Sequence, residues 1–497
     1  MNKLIVSMTR LSAAVTLFAV DQIEKSVNVM NGGGEGMTKA VEGIETTLNS
    51  LTDILADKMD EKKKTTLKSV TRATEETVKR TLDSVDVMVP REAFDGTTQL
   101  VERTRDVAAA WIGKAFEKAT DGLQPTPAML SMISKVLPTM TRAISLGIPG
   151  RDSEVAWRTA KNTAEIIQLV VNVSTVLPPH GTYKPLGGLV DKCYDMGTFP
   201  SVWSVEGLGH YYGDTFFERN ITPENILTDP ELESIPAKSM TMLHAGIGLS
   251  FAQQHLTKIT AKSPAAEIKK TVKHIIALDK NNSRKGYAGC AIESLGLVAR
   301  NFHGLPMMLA VADALEALEP ELLGYLWRGA GRAAYFSAPN FIPGWKTPWR
   351  AVQMCREEPP HDMGRRNMLA GFAWAATVVN MRHPIVMETI LKYHGTEFSE
   401  TDAFSNGCMS SMVMRYDTSP DDPNIDHFVK YHLSSSDHKL HQQWNHLVKE
   451  PCERAIHTVH PVLKETKHLE EVFHYQDLDA LVERLKKHPK GKGAKDE

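Results

Sequence analysis

The sequence predicts a mainly α fold: an internally duplicated, glycine-rich helical domain with an N-terminal amphipathic helical arm. Three observations predict it. Apolar residues recur at three- and four-residue intervals from Leu4 to Met59. Short glycine-led segments recur in the same order at nearly one period between residues 198 and 418. A periodic apolar stretch, Ser153 to Leu177, is stopped by Pro178-Pro-His-Gly181, as proline cannot continue the helical hydrogen-bond ladder.

The elements follow in order. Leu4, Met8, Leu11, Val15, Phe18, Ile23, Val27 and Met30 keep one face apolar at helical spacing, and Asn31-Gly-Gly-Gly34 breaks the helix. Val41, Ile44, Leu48, Leu51, Leu55 and Met59 then form a narrow seam, flanked by the mixed charges of Lys58 to Lys64. Such a seam suits a coiled coil, a lipid-surface helix or a solvated hairpin leaning on the main domain. Residues 1–127 are therefore assigned to the arm and 128–197 to a helical connector, with Tyr183 to Trp203 read as loop-rich.

The repeat units are placed at 198–310 and 311–418. Glu206-Gly-Leu-Gly-His-Tyr-Tyr212 matches Arg328-Gly-Ala-Gly-Arg-Ala-Ala-Tyr335 at an offset of 122. Leu243-His-Ala-Gly-Ile-Gly-Leu249 parallels Met368-Leu-Ala-Gly-Phe-Ala-Trp374, with Gly246 and Gly371 offset by 125. Tyr287-Ala-Gly-Cys-Ala-Ile-Glu293 parallels Ser405-Asn-Gly-Cys-Met-Ser-Ser411, with Gly289 and Gly407 offset by 118. Small residues at these places let neighbouring backbones approach closely. Thr418-Ser-Pro-Asp-Asp-Pro423 reads as a turn, 419–485 as a histidine-rich helical segment and 486–497 as a basic disordered tail.

Composition narrows the function classes. The 497 residues carry a net charge of −3, which supplies no broad attraction to nucleic acid. Five scattered cysteines with no C-x-x-C exclude a disulfide framework, a zinc ribbon and covalent c-type haem, and fit a reducing compartment. Leu11 to Val20 follows cations as a signal peptide would, but no small-x-small site follows it. Ile166 to Leu177 is interrupted by Gln168, Asn172, Ser174 and Thr175, so no spanning helix is expected. The expected location is cytoplasmic, with peripheral attachment to a membrane or lipid surface as a further option.

Chemistry-bearing residues are sparse. Gly207-Leu-Gly209 and Gly329-Ala-Gly331 do not extend to G-x-G-x-x-G or to a P-loop and are read as packing glycines. Cys290 and Cys408 are read as small core residues. His438 and His441, like His457 and His460, share helical spacing but lack the H-E-x-x-H or E-x-x-H patterns of metal helices. No metal and no cofactor are expected. The polar cluster from Pro359 to Asn367 precedes the apolar helix Leu369 to Met381; there Asp362 is expected to cap, and the arginines to bind a carboxylate, a phosphate or the facing Glu206. Candidate ligand-binding residues are Glu206, His210, Arg328, Arg332, His361, Asp362 and Arg365.

Through Glu206-Gly-Leu-Gly-His, His244-Ala-Gly-Ile-Gly, Gly286-Tyr-Ala-Gly-Cys-Ala and Arg328-Gly-Ala-Gly-Arg-Ala-Ala-Tyr-Phe336, the chain resembles an uncharacterised bacterial family associated with enediyne biosynthesis gene clusters. The resemblance covers residues 198–418, carries no catalytic signature, and implies a bacterial source and a link to lipid-like or polyketide-like molecules. Two functions are expected from different classes. One is a non-catalytic scaffold whose arm binds an apolar partner, a lipid surface or further copies of the chain. The alternative is an enzyme or accessory factor acting on a hydrophobic acyl or polyketide-derived molecule between the repeat units. Metal or haem binding by the C-terminal histidines is a third, weaker reading.

Overall fold

The structure is a computed structural model that describes residues 186–228, 235–336 and 349–487, together with scattered positions between 155 and 169. The arm and most of the connector lie outside the described residues. The chain divides into two units, Met1–Ala164 with Ser337–Thr347 and Glu165–Phe336 with Pro348–Glu497. The described residues of the second unit are mainly helical and contain no strand.

The interior is a run of packed helices: α2 (Thr198–Glu218), α3 (Met240–Leu256), α5 (Ala288–His303), α7 (Leu323–Tyr335), α9 (Asp362–Asn380) and α11 (Ala403–Thr418), each touching the next. Most of them are buried on nearly every side, so they lack the polar stripe of a surface helix. Glycine sets their separation. A β-carbon on Gly246 of α3 would strike the carbonyl oxygen of Glu206 on α2, and one on Gly371 of α9 would strike that of Arg328 on α7. Gly296 and Gly329 do the same between α5 and α7, and Gly407 between α9 and α11. The two Gly-x-Gly segments are thus helical packing surfaces. Gly209 lies on Leu243 and Gly246, while Gly213, one turn later, lies on Ser250. It follows that α2 and α3 run in the same direction.

The remaining helices flank this run. Leu186, Leu189, Val190 and Cys193 form the buried face of α1 (Leu186–Tyr194), which packs on α2, so from Leu186 onward the segment expected to be loop-rich is helix interrupted only around Gly197. Burying that face offsets the cost of about 1 kcal/mol that each helical glycine carries. Helix α4 (Ala265–Asn282) packs on α6 (Leu305–Glu316), and α8 (Trp349–Glu357) on α9. Gly304, at φ 83°, ends α5 and opens α6, where Pro306 takes a position at which its missing N–H costs nothing. α10 (Ile385–Phe398) follows α9, and Asp422 caps the short α12 (Pro423–Val429) by accepting from the Asn424 amide at 3.0 Å.

After α12 the chain forms a continuous helical rod: α13 (His438–Trp444), α14 (Glu450–Arg454) and α15 (His460–Thr466), joined by π-turns at Asn445–Lys449 and Ala455–Val459. Pro451 and Pro461 explain the turns, because each lacks an N–H and crowds the carbonyl four residues back. A 3-10 turn, Leu469–Phe473, and α16 (Leu478–Lys487) complete the unit. Lys486 and Lys487, expected in the disordered tail, are the last residues of α16. No helix among the described residues is long and apolar enough to cross a membrane.

Candidate functional site

Four charged side chains meet inside this helical run. Glu206 comes from α2, Glu293 from α5, and Arg328 and Arg332 from α7, where a four-residue spacing puts both guanidiniums on one face. All four are buried. Arg332 bridges the two carboxylates, donating through Nη2 to Glu206 and through Nη1 to Glu293 Oε2 at 3.1 Å. Arg328 donates to Ser410 Oγ on α11 at 2.9 Å and holds Glu293 Oε1 at 3.7 Å. Its guanidinium also lies 5.5 Å from the Trp374 ring and 5.2 Å from Phe473, and Arg332 lies 5.1 Å from Trp374. Aromatic faces thus supply attraction where carboxylates run out.

Burial pulls Arg328 down to about 10, with Glu293 opposing and Arg332 adding to the shift, so the side chain stays charged near neutrality. Burial acts on Arg332 in the same sense, but Glu206 and Glu293 outweigh it and hold the group above its ordinary value. Two guanidiniums face two carboxylates, and the cluster is balanced within itself.

Three of the expected site residues, Glu206, Arg328 and Arg332, are therefore brought together. The other four are not. His210 sits half-buried on α2, with Nε2 3.0 Å from Gln253 and 3.6 Å from Asp214. His361 provides the cap of α9 that was expected of Asp362: its Nδ1 accepts from the Gly364 amide at 2.8 Å. The imidazole can do this because its ring is fixed edge-on against Trp327. Asp362 is exposed and pairs with Arg366 at 2.8 Å and Arg365 at 3.8 Å. Glu206 is held by Arg332, one helix away from the arginines expected to reach it. Glu293 belongs to the cluster and was missed; its signal was a lone charge in the mostly apolar run Cys290 to Ala299.

The C-terminal segment covers the cluster. Glu470 reaches the start of α5, where the Gly289 amide donates to it at 3.1 Å, and its own amide donates to the Gly286 carbonyl at 2.9 Å. Gly286 adopts φ 88° and presses on the Lys467 carbonyl, a place no side chain would fit. Phe473 lies over Arg328, His474 packs on Tyr325, and the Tyr475 amide donates to Asn367 at 2.6 Å.

Several other polar groups inside the unit find partners or are held neutral. The Arg284 amide donates to His244 Nε2 at 3.0 Å, so Nδ1 carries the proton it gives to the Met240 carbonyl at 2.6 Å. Burial lowers this histidine to about 4. Burial raises Asp279 to about 8 although Ser283 donates to it at 2.5 Å. Asp417 gathers Lys464 and His460, and Arg415 pairs with Asp422. All five cysteines are buried and unpaired; burial pushes Cys193 and Cys408 up to about 12 and the others well above their ordinary value. They are thiols at neutral pH, not nucleophilic thiolates. Among the described residues no three His, Cys, Asp or Glu side chains gather as metal ligands would, and His441 is bound instead to the Ser435 carbonyl at 2.7 Å.

Comparison with protein-family models, with curated proteins and with solved structures finds no match to this chain.

Proposed function

We propose that the chain is a non-catalytic helical scaffold whose N-terminal arm binds an apolar partner, a lipid surface or further copies of the chain. The observation that carries this reading is the cluster of Glu206, Glu293, Arg328 and Arg332, whose charges are spent on one another. A charge cluster matched in this way holds helices in register, whereas a catalytic group needs a partner left for the substrate. The high pKa values of the thiols support the same reading.

An internal duplication is part of the proposal. Gly246 abuts the Glu206 carbonyl and the His210 amide, and Gly371 abuts the Arg328 carbonyl and the Arg332 amide, both 122 residues further on. The same close approach therefore recurs at the positions aligned by sequence. The scaffold reading is tested by deleting residues 1–123 and measuring folding, sedimentation with liposomes and oligomer mass. A truncated chain that stays folded but loses liposomes or assembly supports it. Full attachment and unchanged mass would place the function elsewhere, and outright unfolding would make the arm part of the core.

One observation favours the second reading, action on a hydrophobic acyl or polyketide-derived molecule between the repeat units. Arg328 is fully buried among Glu293 of the first repeat unit and Trp374 and Ser410 of the second repeat unit, and its Nε has no acceptor among the described residues. Native mass spectrometry of the purified chain would detect a retained acyl or polyketide-like molecule. Its appearance would favour this reading over the scaffold.

A further inference from the structure

A second attachment surface lies on the helical unit itself: we propose that the end of α3 and the first half of α4 dock on an anionic lipid surface. Lys258 and Lys262 follow α3, and Lys269, Lys270 and Lys273 stand on α4. All five are exposed, and none pairs with a carboxylate among the described residues. Glu267 is the one acidic residue between Lys258 and Lys273, in a chain whose net charge is −3. The pattern does not serve the helix, since like charges four apart, as at Lys269 and Lys273, repel.

Packing gathers these lysines at one end. The parallel run of α2 and α3 brings their C-terminal ends together, with Phe217 5.5 Å from His255. His255 in turn lies 4.6 Å from His274, which fixes the end of α3 against α4. Ile221 leaves α2 at this same end and is 50% exposed, the most exposed large apolar side chain among the described residues. Exposed lysines without carboxylate partners match anionic phosphate headgroups, and an exposed apolar tip at the end of α2 suits the acyl boundary below them. The cations are all lysine, which meets phosphate as a mobile point charge, and residues 257–274 hold neither the arginine forks nor the aromatic platforms used to read nucleic acid.

The surface extends the lipid form of the proposed function with a contact that does not involve the arm. The test uses the full chain, sedimented with vesicles of phosphatidylcholine alone or with added phosphatidylserine, at low and physiological salt. The variant K258Q/K262Q/K269Q/K270Q/K273Q changes exposed positions only, and its melting curve should match the parent. The parent is expected on the serine-lipid vesicles and not on the neutral ones. At about fivefold per lysine, the glutamine variant should lose at least a hundredfold in affinity, while a five-arginine variant keeps binding. Ile221→Ser should weaken binding severalfold. Equal sedimentation of parent and glutamine variant would overturn the lysine surface and leave the arm reading standing. A parent that stays with neither vesicle would overturn both in their lipid form. Release from vesicles by short duplex DNA at matched phosphate would overturn the proposal by making nucleic acid the occupant.

Discussion

Arg332 stands between two buried carboxylates, and its loss would leave Glu206 and Glu293 facing each other without water. Removing one member of such a buried set costs about 3 to 5 kcal/mol, so Arg332→Met should lower the urea midpoint sharply with little change in slope. Asp279 gives a pH dependence of definite sign. Its folded pKa of about 8 lies above the ordinary 3.8, so the fold binds its proton more tightly than the unfolded chain does. The corresponding stability is complete below pH 3.8 and is lost as pH rises through 8. Asp279→Asn keeps an acceptor for Ser283 and removes the titration; its stability relative to the parent should rise steadily between pH 5 and 8 in urea melts. Glu206, Arg328 and Arg332 were legible in the sequence because each is a charge set among packing glycines. Glu293 was hidden by the repeat itself, which aligns it with Ser411 and makes it look incidental. The polar run from His361 to Arg365 drew attention for the opposite reason: charge density marks helix ends and solvated faces as readily as it marks sites.

At the scale of elements, the glycine positions carry the clearest expectation. Gly246→Ala and Gly371→Ala each push a methyl into a backbone carbonyl, which cannot move aside as a side chain would. Each should cost about 1 to 3 kcal/mol, read as a lowered melting temperature by circular dichroism. Gly188→Ala meets nothing within 4 Å and should leave it unchanged or raised, so the pair of results separates packing from helix propensity. These contacts were foreseeable because small residues recur at one spacing, but the sequence could not say which helices they join. The rod from α13 to α15 was less legible. Its buried positions Leu440, Trp444, Val448, Cys452, Ala455, Val459 and Leu463 fall mostly four apart. In a regular helix that spacing drifts by about 40° per step. The two π-turns each take up an extra residue and bring the apolar face back toward α11, and only the prolines announced them.

For the whole molecule, the main domain was legible as helical because its elements are long, apolar and punctuated by glycine and proline. What local patterns could not give was the cover over the charge cluster. That cover comes from residues 467–476, and the bond between Gly289 and Glu470 joins positions 181 residues apart. Most helix contacts of the interior, by contrast, join successive interior helices. Synthesis therefore delivers the parts in an uneven order. At roughly 5 to 20 residues per second, about ten to forty seconds separate the emergence of Gly289 from that of Glu470. During that interval the helices can pair as they appear, while Arg328 lacks Phe473 above it and α5 lacks the carboxylate at its start. A nascent chain is thus assembled but unsealed until residues 467–476 have emerged. A chain ended at Thr466 should be made and partly helical, yet be cut within α5 and α7 by a protease that spares the full-length protein. Residues 467–476 thereby make a chain interrupted before them distinguishable, by proteolysis, from one that contains them.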